Sequence, residues 1–440
     1  MATSNFKSGV PKRSSDVPTR PNRSSLAQVK RKAPPRGGLH DQLVTVAAGS
    51  ADGRLLNRRG VERKQRMLLL ELMALLMIFA VLIGFTVQYL RFRVPLPEML
   101  PGNVQLNYPP HYVFSMYGVD RPVSVAVSPV IDRIYVGEMD GNRMVKMFDF
   151  NGKLLGSFAP PRTGTPERSP VYLAVSQDGR VFVSDRAQHA IFVFDAEGGY
   201  LDTILSPSLT LSEYISKHTG GLPPGTTFAF NIFQENVYYQ KPGEAEQTLP
   251  APDLYDWAPL GLRIDNGNRL ILTDVAEDHS FVQVFPDSVI TSQSWIDFEP
   301  AQFKFGANGQ QDEEMKFPNS AVVDSRGQFY VSDGNNSRIS VWDIQGKFLF
   351  TFGRGTGDSA INLPRGMTVD EKDRLYIVDA VGQSVKVYDV SKDEVSFLFS
   401  FGAFGENDGR FNYPNDIAVD KVGRLYIVDR ENNRIQVWLY

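Results

Sequence analysis

Residues 413–440 decide the fold, and their sequence is YPNDIAVDKVGRLYIVDRENNRIQVWLY. Three short apolar segments, rich in β-branched and aromatic residues, alternate here with polar turns. This pattern predicts three antiparallel β-strands rather than a helix. In the upstream copies of this unit a further apolar segment follows, so the fourth strand of the last copy is expected from another part of the chain.

The same unit occurs six times in the chain. Each copy reads as a strand, a turn with Gly or Asp, an apolar strand, a polar turn and a third strand, often followed by a fourth such as FLFTFG at 348–353. The second residue of every copy is a proline: Pro122, Pro170, Pro259, Pro318, Pro364 and Pro414. Four short strands repeated at about 40 to 50 residues predict an all-β propeller, because radial stacking buries both faces of every sheet.

The fourth and sixth copies share the pattern P-x-x-[apolar]-x-V-D, followed by G-x-[apolar]-Y-[apolar]-x-D and then by N-x-R or N-N-R before V-W. In this pattern the chain resembles the NHL-repeat family. The resemblance extends over residues 112–440, is clearest in copies four to six, and implies a six-bladed NHL-type β-propeller. The segment YVFSMYG at 112–118 resembles FLFTFG, so we expect it to supply the missing strand and close the ring.

The formal net charge of −4 hides a strong asymmetry. Residues 1–66 carry 15 Lys and Arg against 4 Asp and Glu, whereas the chain after residue 93 carries 29 against 45. The first segment is also rich in Ser and Pro and lacks apolar periodicity, which predicts a disordered basic tail. The acidic balance of the remainder argues against nucleic acid as a partner.

Residues 67–90, MLLLELMALLMIFAVLIGFTVQYL, predict a single transmembrane helix, since 24 helical residues span about 36 Å. Six basic residues precede this segment between 54 and 66, and two follow at 91 and 93. The positive-inside rule therefore predicts a cytoplasmic tail and an extracytoplasmic propeller. Residues 91–111 are predicted to be a Pro-rich linker. Ala80 and Gly84 form a small-x3-small pair through which the helix could oligomerise.

Residues 206–257 form an insertion between the second and third copies. Long insertions in compact folds are usually functional or disordered, and aromatic residues argue against disorder. We therefore predict a ligand- or partner-binding surface, with a cap that merely packs on the propeller as the alternative. The aromatic residues concerned are Phe228, Phe230, Phe233, Tyr238, Tyr239 and Trp257.

An acidic residue recurs five positions before an arginine in three copies: Glu138 with Arg143, Asp333 with Arg338, and Asp429 with Arg434. Such a pair could act as a catalytic acid with an electrophile. A catalytic group is usually singular, however, so repetition favours structural ion pairs that brace turns.

Histidine tests the enzymatic alternative, because the resemblance to NHL-type lyases implies zinc held by histidines on the propeller axis. His189, His218 and His279 could share one face and suit zinc. Their positions within the repeats do not match, so we expect surface histidines, with no metal and no cofactor. The chain has no cysteine, which excludes disulfides and cysteine nucleophiles, and no nucleophile–base set is evident.

These observations predict a membrane-anchored scaffold or sensor that binds a protein, a peptide or a cell-envelope ligand. The alternative is a metal-dependent lyase or hydrolase acting at the face of the propeller that carries the insertion.

Overall fold

The computed structural model describes residues 52–92, 108–254, 256–276, 278–287 and 303–440. The predicted tail up to residue 51 and most of the predicted linker lie outside these ranges. The chain divides into two units, an N-terminal one that ends at Gly84 and a second one that contains the sheets.

Helix α1 (Asp52–Phe92) contains the predicted membrane segment. Its stretch Gln65–Gly84 has a mean hydropathy of 2.7 and is long and apolar enough to cross a membrane. The prediction of disorder up to residue 66 is wrong for 52–66, which are helical. These residues include Leu, Arg, Glu, Lys and Gln, which favour helix, and adding residues to an existing helix avoids the cost of nucleation.

The second unit consists mainly of antiparallel sheets in which consecutive strands are neighbours. Strand β1 (His111–Met116) comes first in the chain. Sheet 1 contains β2 (Pro122–Val127), β3 (Ile134–Glu138), β4 (Val145–Phe148) and β5 (Leu154–Phe158). Sheet 2 contains β6 (Pro170–Val175), β7 (Val181–Asp185), β8 (Ala190–Phe194), β9 (Tyr200–Ser206) and the short β10 (Leu209–Thr210).

The insertion follows sheet 2 and has its own elements. These are α2 (Leu211–Thr219), β11 (Thr227–Asn231), β12 (Asn236–Gln240) and β13 (Gln247–Pro250). Sheet 3 contains β14 (Pro259–Ile264), β15 (Leu270–Asp274), β16 (Phe281–Phe285) and β17 (Phe303–Phe305). A small parallel pair, β18 (Ala307–Asn308) and β19 (Glu314–Met315), precedes the next sheet.

Three further sheets complete the chain. Sheet 4 contains β20 (Pro318–Val323), β21 (Phe329–Asp333), β22 (Arg338–Trp342) and β23 (Phe348–Phe352). Sheet 5 contains β24 (Pro364–Val369), β25 (Arg374–Asp379), β26 (Ser384–Asp389) and β27 (Ser396–Phe401). Sheet 6 contains β28 (Pro414–Val419), β29 (Leu425–Asp429), β30 (Arg434–Leu439) and β1.

The predicted prolines mark the start of sheets 1 to 6. All six occupy the first position of a first strand, where proline's missing N–H costs no ladder hydrogen bond. Each first strand contacts the next, and β28 of sheet 6 contacts β2 of sheet 1, so the first strands form a closed cycle. The hydrophobic clusters lie between neighbouring sheets, as expected for a propeller.

The prediction that residues 112–118 supply the missing fourth strand of the last copy is confirmed. Strand β1 pairs antiparallel with β30, with His111 opposite Leu439 and Met116 opposite Ile435. Met116 is buried in the cluster shared by sheets 6 and 1, and Tyr112 packs edge-on against Trp438 at 6.2 Å between ring centroids. The two ends of the propeller are therefore joined within one sheet.

The insertion contributes to the hydrophobic core. One hydrophobic cluster contains residues from sheets 1 and 2 together with four residues of the insertion. These are Leu211 and Ile215 of α2, Phe230 of β11 and Val237 of β12. Asp202 on β9 is buried and accepts hydrogen bonds from the Ser212 backbone N–H and hydroxyl at the start of α2. Burial raises the pKa of Asp202 to about 7.

Candidate functional site

A pocket of about 420 Å³ lies where the six first strands begin. Every first strand supplies at least one lining residue, so the pocket lies at the centre of the cycle. We call it the axial pocket. Its lining consists of Val123, Met139, Ser169, Val171, Tyr172, Arg186, Leu260, Phe317, Asn319, Arg365, Asn415 and Arg430.

The axial pocket opens on one of the two faces of the propeller. Met139, Arg186 and Arg430 directly follow second strands, so the turns between second and third strands surround the opening. We call this the pocket face, and it also carries the connections between sheets. The opposite face, formed by the other turns, is called the far face. The chain enters β1 at His111, beside Leu439, on the far face.

Arg365 is held in place by neutral partners. Its Nη1 donates to Asn319 Oδ1 at 2.7 Å, and its Nη2 donates to the Tyr413 hydroxyl at 3.1 Å. Its Nε is buried and has no hydrogen-bond partner among the described residues. The guanidinium is thus oriented by its neighbours without being neutralised by them.

Arg430 shares its surroundings with Arg365. Its guanidinium lies 5.3 Å from the Tyr413 ring centroid, and its Nε lies 3.4 Å from Glu431 Oε1. The same Glu431 oxygen accepts from Arg121 Nη2 at 2.9 Å, so one carboxylate serves two arginines. The pKa of Arg430 is lowered, first by burial and then by the charge of Arg121.

Arg186 stands at the rim of the axial pocket. Its guanidinium lies 5.2 Å from the ring centroid of Phe317. Although Arg186 is exposed, the neighbouring wall removes enough water to lower its pKa. No ion pair between Arg186 and a carboxylate occurs in the described part of the chain.

An ion pair crosses the space enclosed by the six first strands, which we call the channel, on the far-face side of the axial pocket. Arg263 of sheet 3 pairs with Asp416 of sheet 6 and donates from Nε to the Met367 carbonyl of sheet 5 at 3.0 Å. Asp416 also accepts the Val125 backbone N–H of sheet 1 at 3.1 Å. Burial raises the pKa of Asp416, while the charge of Arg263 opposes that rise. We call this the channel ion pair.

The last residue of every second strand is a buried carboxylate: Glu138, Asp185, Asp274, Asp333, Asp379 and Asp429. Each accepts a backbone N–H from the segment that leads into its own first strand, as Asp185 does from Ser169 at 2.9 Å and Asp429 from Asn412 at 2.7 Å. Burial raises the pKa of Asp185 to about 6. Since these groups tie sheets to their connections, we assign them a structural role.

Two of the three predicted ion pairs are present. The Nε atoms of Arg338 and Arg434 each lie 2.7 Å from the carboxylates of Asp333 and Asp429. Their Nη2 atoms donate to backbone carbonyls of the connections before β20 and β28, so each pair braces a connection.

The predicted pair of Glu138 with Arg143 is not formed. The turn here has one more residue, so Met144 rather than Arg143 bonds opposite Glu138, and Arg143 takes a left-handed conformation at φ 50°. Lys146 instead lies 2.7 Å from Glu138, while Arg143 donates to the Arg168 carbonyl at 3.2 Å.

The six aromatic residues predicted for partner binding fall into two groups. Phe230, Tyr239 and Trp257 are buried in hydrophobic clusters and are not accessible to a partner. Phe228 and Tyr238 are half-buried, and the Arg162 guanidinium lies 4.6 Å from the Tyr238 ring centroid. Phe233 is 57% exposed. The three buried residues therefore pack as the alternative, a cap, predicts, while a binding role for Phe228, Tyr238 and Phe233 stays a prediction.

The three histidines considered for zinc have separate surroundings. His189 Nδ1 lies 2.9 Å from the Trp257 carbonyl, and His218 Nδ1 lies 2.8 Å from the Tyr214 carbonyl in α2. His279 Nδ1 lies 2.7 Å from Asp278 and its ring stacks on Phe281. The described residues contain no group of three or more His, Cys, Asp or Glu that could hold a metal ion.

A family model described as NHL repeat matches residues 315–342 and 411–438. These ranges contain the first three strands of sheet 4 and, except for Leu439, those of sheet 6. Two segments of the chain therefore match the NHL repeat. Together with the sheet topology, the match supports an NHL-type β-propeller.

Several solved structures are similar to this chain. Virginiamycin B lyase from Staphylococcus aureus is 13% identical with a TM-score of 0.44, over 74% of this chain and 98% of that one. A protein of unknown function from Bacteroides thetaiotaomicron is 16% identical with a TM-score of 0.45, over 75% and 72%. The Dos1 propeller is 13% identical with a TM-score of 0.44, over 76% and 95%. No curated protein matches the chain significantly.

The arginines of the axial pocket were not predicted from the sequence. They come from three different repeats and form no local motif. A partial signal exists, because the second strands of sheets 2 and 6 each end in an aspartate that an arginine directly follows, Asp185-Arg186 and Asp429-Arg430. In a propeller such positions converge on one face, but only the fold brings Arg365 beside them.

Proposed function

We propose that this chain is a membrane-anchored binding protein whose six-bladed propeller recognises a protein, peptide or cell-envelope ligand at the pocket face. The observation that supports it is the axial pocket, where arginines without their own carboxylates line an opening of about 420 Å³. This volume falls within the range of small-ligand pockets, about 300 to 1,000 Å³. The buried carboxylates nearby are bonded to the backbone, which favours binding over acid–base chemistry.

Six blades and membrane anchorage are both part of this proposal. The closed cycle of first-strand contacts supports six blades. The apolar stretch of α1 supports anchorage, and the excess of basic residues before it favours an extracytoplasmic propeller. Extracytoplasmic placement exposes the pocket face to ligands outside the cytoplasm.

Exposed apolar residues on the pocket face suit the same role. Val381 lies in the turn between β25 and β26, and Phe404 lies in the connection from sheet 5 to sheet 6; they are 57% and 66% exposed. Such residues around a pocket are typical of partner-binding surfaces.

Photocrosslinking in intact cells tests the proposed face. A photoreactive amino acid at position 381 or 404 is expected to give a discrete adduct. Matched positions on the far face, Ile344 and Val422, are also exposed and are expected to give none. Equal adducts from both faces, or adducts from the far face alone, would contradict the proposal. Removing residues 206–257 is a poorer test, because that deletion also uncovers the core.

A further inference from the structure

We propose that the axial pocket binds a carboxylate of a peptide ligand, with an adjacent apolar or aromatic side chain packed against the pocket wall. This inference rests on the proposed function and deepens it by naming the ligand chemistry. It is carried by the charge of the pocket, the arginines that line it and its apolar wall.

The pocket has an excess of positive charge. Arg186 and Arg365 have no carboxylate partner among the described residues, and Arg430 shares Glu431 with Arg121. This excess occurs within a domain that is acidic as a whole. The net charge of the domain repels anions, so an anion is attracted only at the pocket, where the local potential is positive.

Buried donors in the pocket lack acceptors. The Nε atoms of Arg365 and Arg430 are buried without a hydrogen bond, and the distance of 3.4 Å from Arg430 to Glu431 is too long for one. Buried donors are normally paired. Guanidinium groups bind carboxylates with charge-assisted hydrogen bonds, and the charge of these arginines is not balanced one-to-one by carboxylates of the described residues, so the pocket suits an anionic ligand group.

Two aromatic residues that contact the arginines of the axial pocket have a left-handed backbone conformation. Phe317 and Tyr413 have φ values of 58° and 54°, in the left-handed region that large side chains rarely adopt. Phe317 contacts Arg186, and Tyr413 contacts both Arg365 and Arg430. Arg121, which also directly precedes a repeat proline, has the same conformation at φ 42°, so this conformation belongs to the repeat and sets the direction of the side chains that line the pocket.

The wall favours a carboxylate over a phosphate. Val123, Val171 and Leu260 line the pocket, and Tyr172 lies against Arg263 of the channel ion pair. A phosphate group carries more charge and would leave this apolar wall uncovered. A peptide places an apolar side chain beside its carboxylate and satisfies both parts of the pocket.

A matched pair of probes tests this inference on the full chain in detergent micelles. The first probe is acetyl-Ala-Ala-Phe with a free carboxylate, and the second is its C-terminal amide. Titration calorimetry is expected to show that the acid binds about tenfold or more tightly than the amide. Added salt should lower the affinity for the acid but not the affinity for the amide.

Arginine variants locate the site. R186Q and R365Q are each expected to lower the affinity for the acid by about tenfold and to leave the affinity for the amide unchanged. Lys372 lies exposed between β24 and β25 on the far face, so K372Q is a matched loss of charge that should change nothing. The thermal midpoint of each variant shows whether folding is intact, and R186Q changes only a rim residue.

Equal affinity for acid and amide, no binding of the acid, or R186Q and R365Q without effect would each overturn the inference. Inorganic phosphate that competes with the acid at equal concentration would overturn the assignment to a carboxylate. These failures can be told apart from failure of the proposed function. Adducts confined to the pocket face would still support a binding role for that face.

Discussion

A propeller fragment that begins at Val119 is expected to unfold at a much lower temperature than one that begins at Pro109. The shorter fragment lacks β1, so β30 becomes an open edge and the cluster between sheets 6 and 1 loses Met116. Losing a buried methionine side chain and a row of backbone hydrogen bonds is expected to lower the free energy of unfolding by about 5 kcal/mol or more. Differential scanning calorimetry of both fragments measures the effect.

The control for this experiment is a full chain from which residues 1–51 are removed. Those residues lie before the first helix, and their removal should leave the propeller's transition unchanged. Equal transition temperatures for the fragments starting at 109 and at 119 would show that pairing of β1 with β30 does not hold the ring together.

Replacement of Arg263 by Met is the second change with a large expected effect. Asp416 is fully buried, and loss of Arg263 leaves its charge without the partner that crosses the channel. Breaking a buried ion pair in this way typically destabilises a protein by about 3 to 5 kcal/mol. The midpoint of urea unfolding measures the change, and the double variant R263M/D416N should recover much of the loss because it removes both charges.

The loss in R263M should depend on pH. Burial already raises the pKa of Asp416 above its ordinary value of 3.8, and without Arg263 that pKa rises further. Between the pKa of Asp416 in the unfolded chain and its higher pKa in the folded variant, only the folded variant binds the proton. The stability of R263M is therefore greatest at pH values below the unfolded-state pKa and falls as pH rises through the folded-state pKa. Effects of R263M and D416N that simply add, with no recovery in the double variant, would show that the two groups are not coupled.

The sequence was sufficient to predict the β-sheets and their starting points. The proline that is second in each copy predicted the start of each first strand, because proline cannot donate to a ladder. The resemblance of residues 112–118 to other fourth strands predicted the pairing of β1 with β30. These features depend on local chemistry that repeats, so six copies support one another.

Other features depend on contacts that no local pattern records. The extra turn residue before Met144 displaced Arg143 from Glu138, and a spacing of five residues did not reveal it. In the insertion, Phe230 faces the core while Phe233 is exposed, which is set by docking against sheet 2. The axial pocket was missed because convergence of Arg186, Arg365 and Arg430 requires the closed ring.

The most direct test of the account is photocrosslinking from position 381 in intact cells, comparing the wild-type chain with the double variant R186Q/R365Q. The substituted position lies on the pocket face, and the two arginines line the axial pocket. If a ligand binds there through its carboxylate, the adduct should fall by about tenfold or more at an unchanged amount of protein. An adduct of undiminished intensity in the double variant would contradict the account.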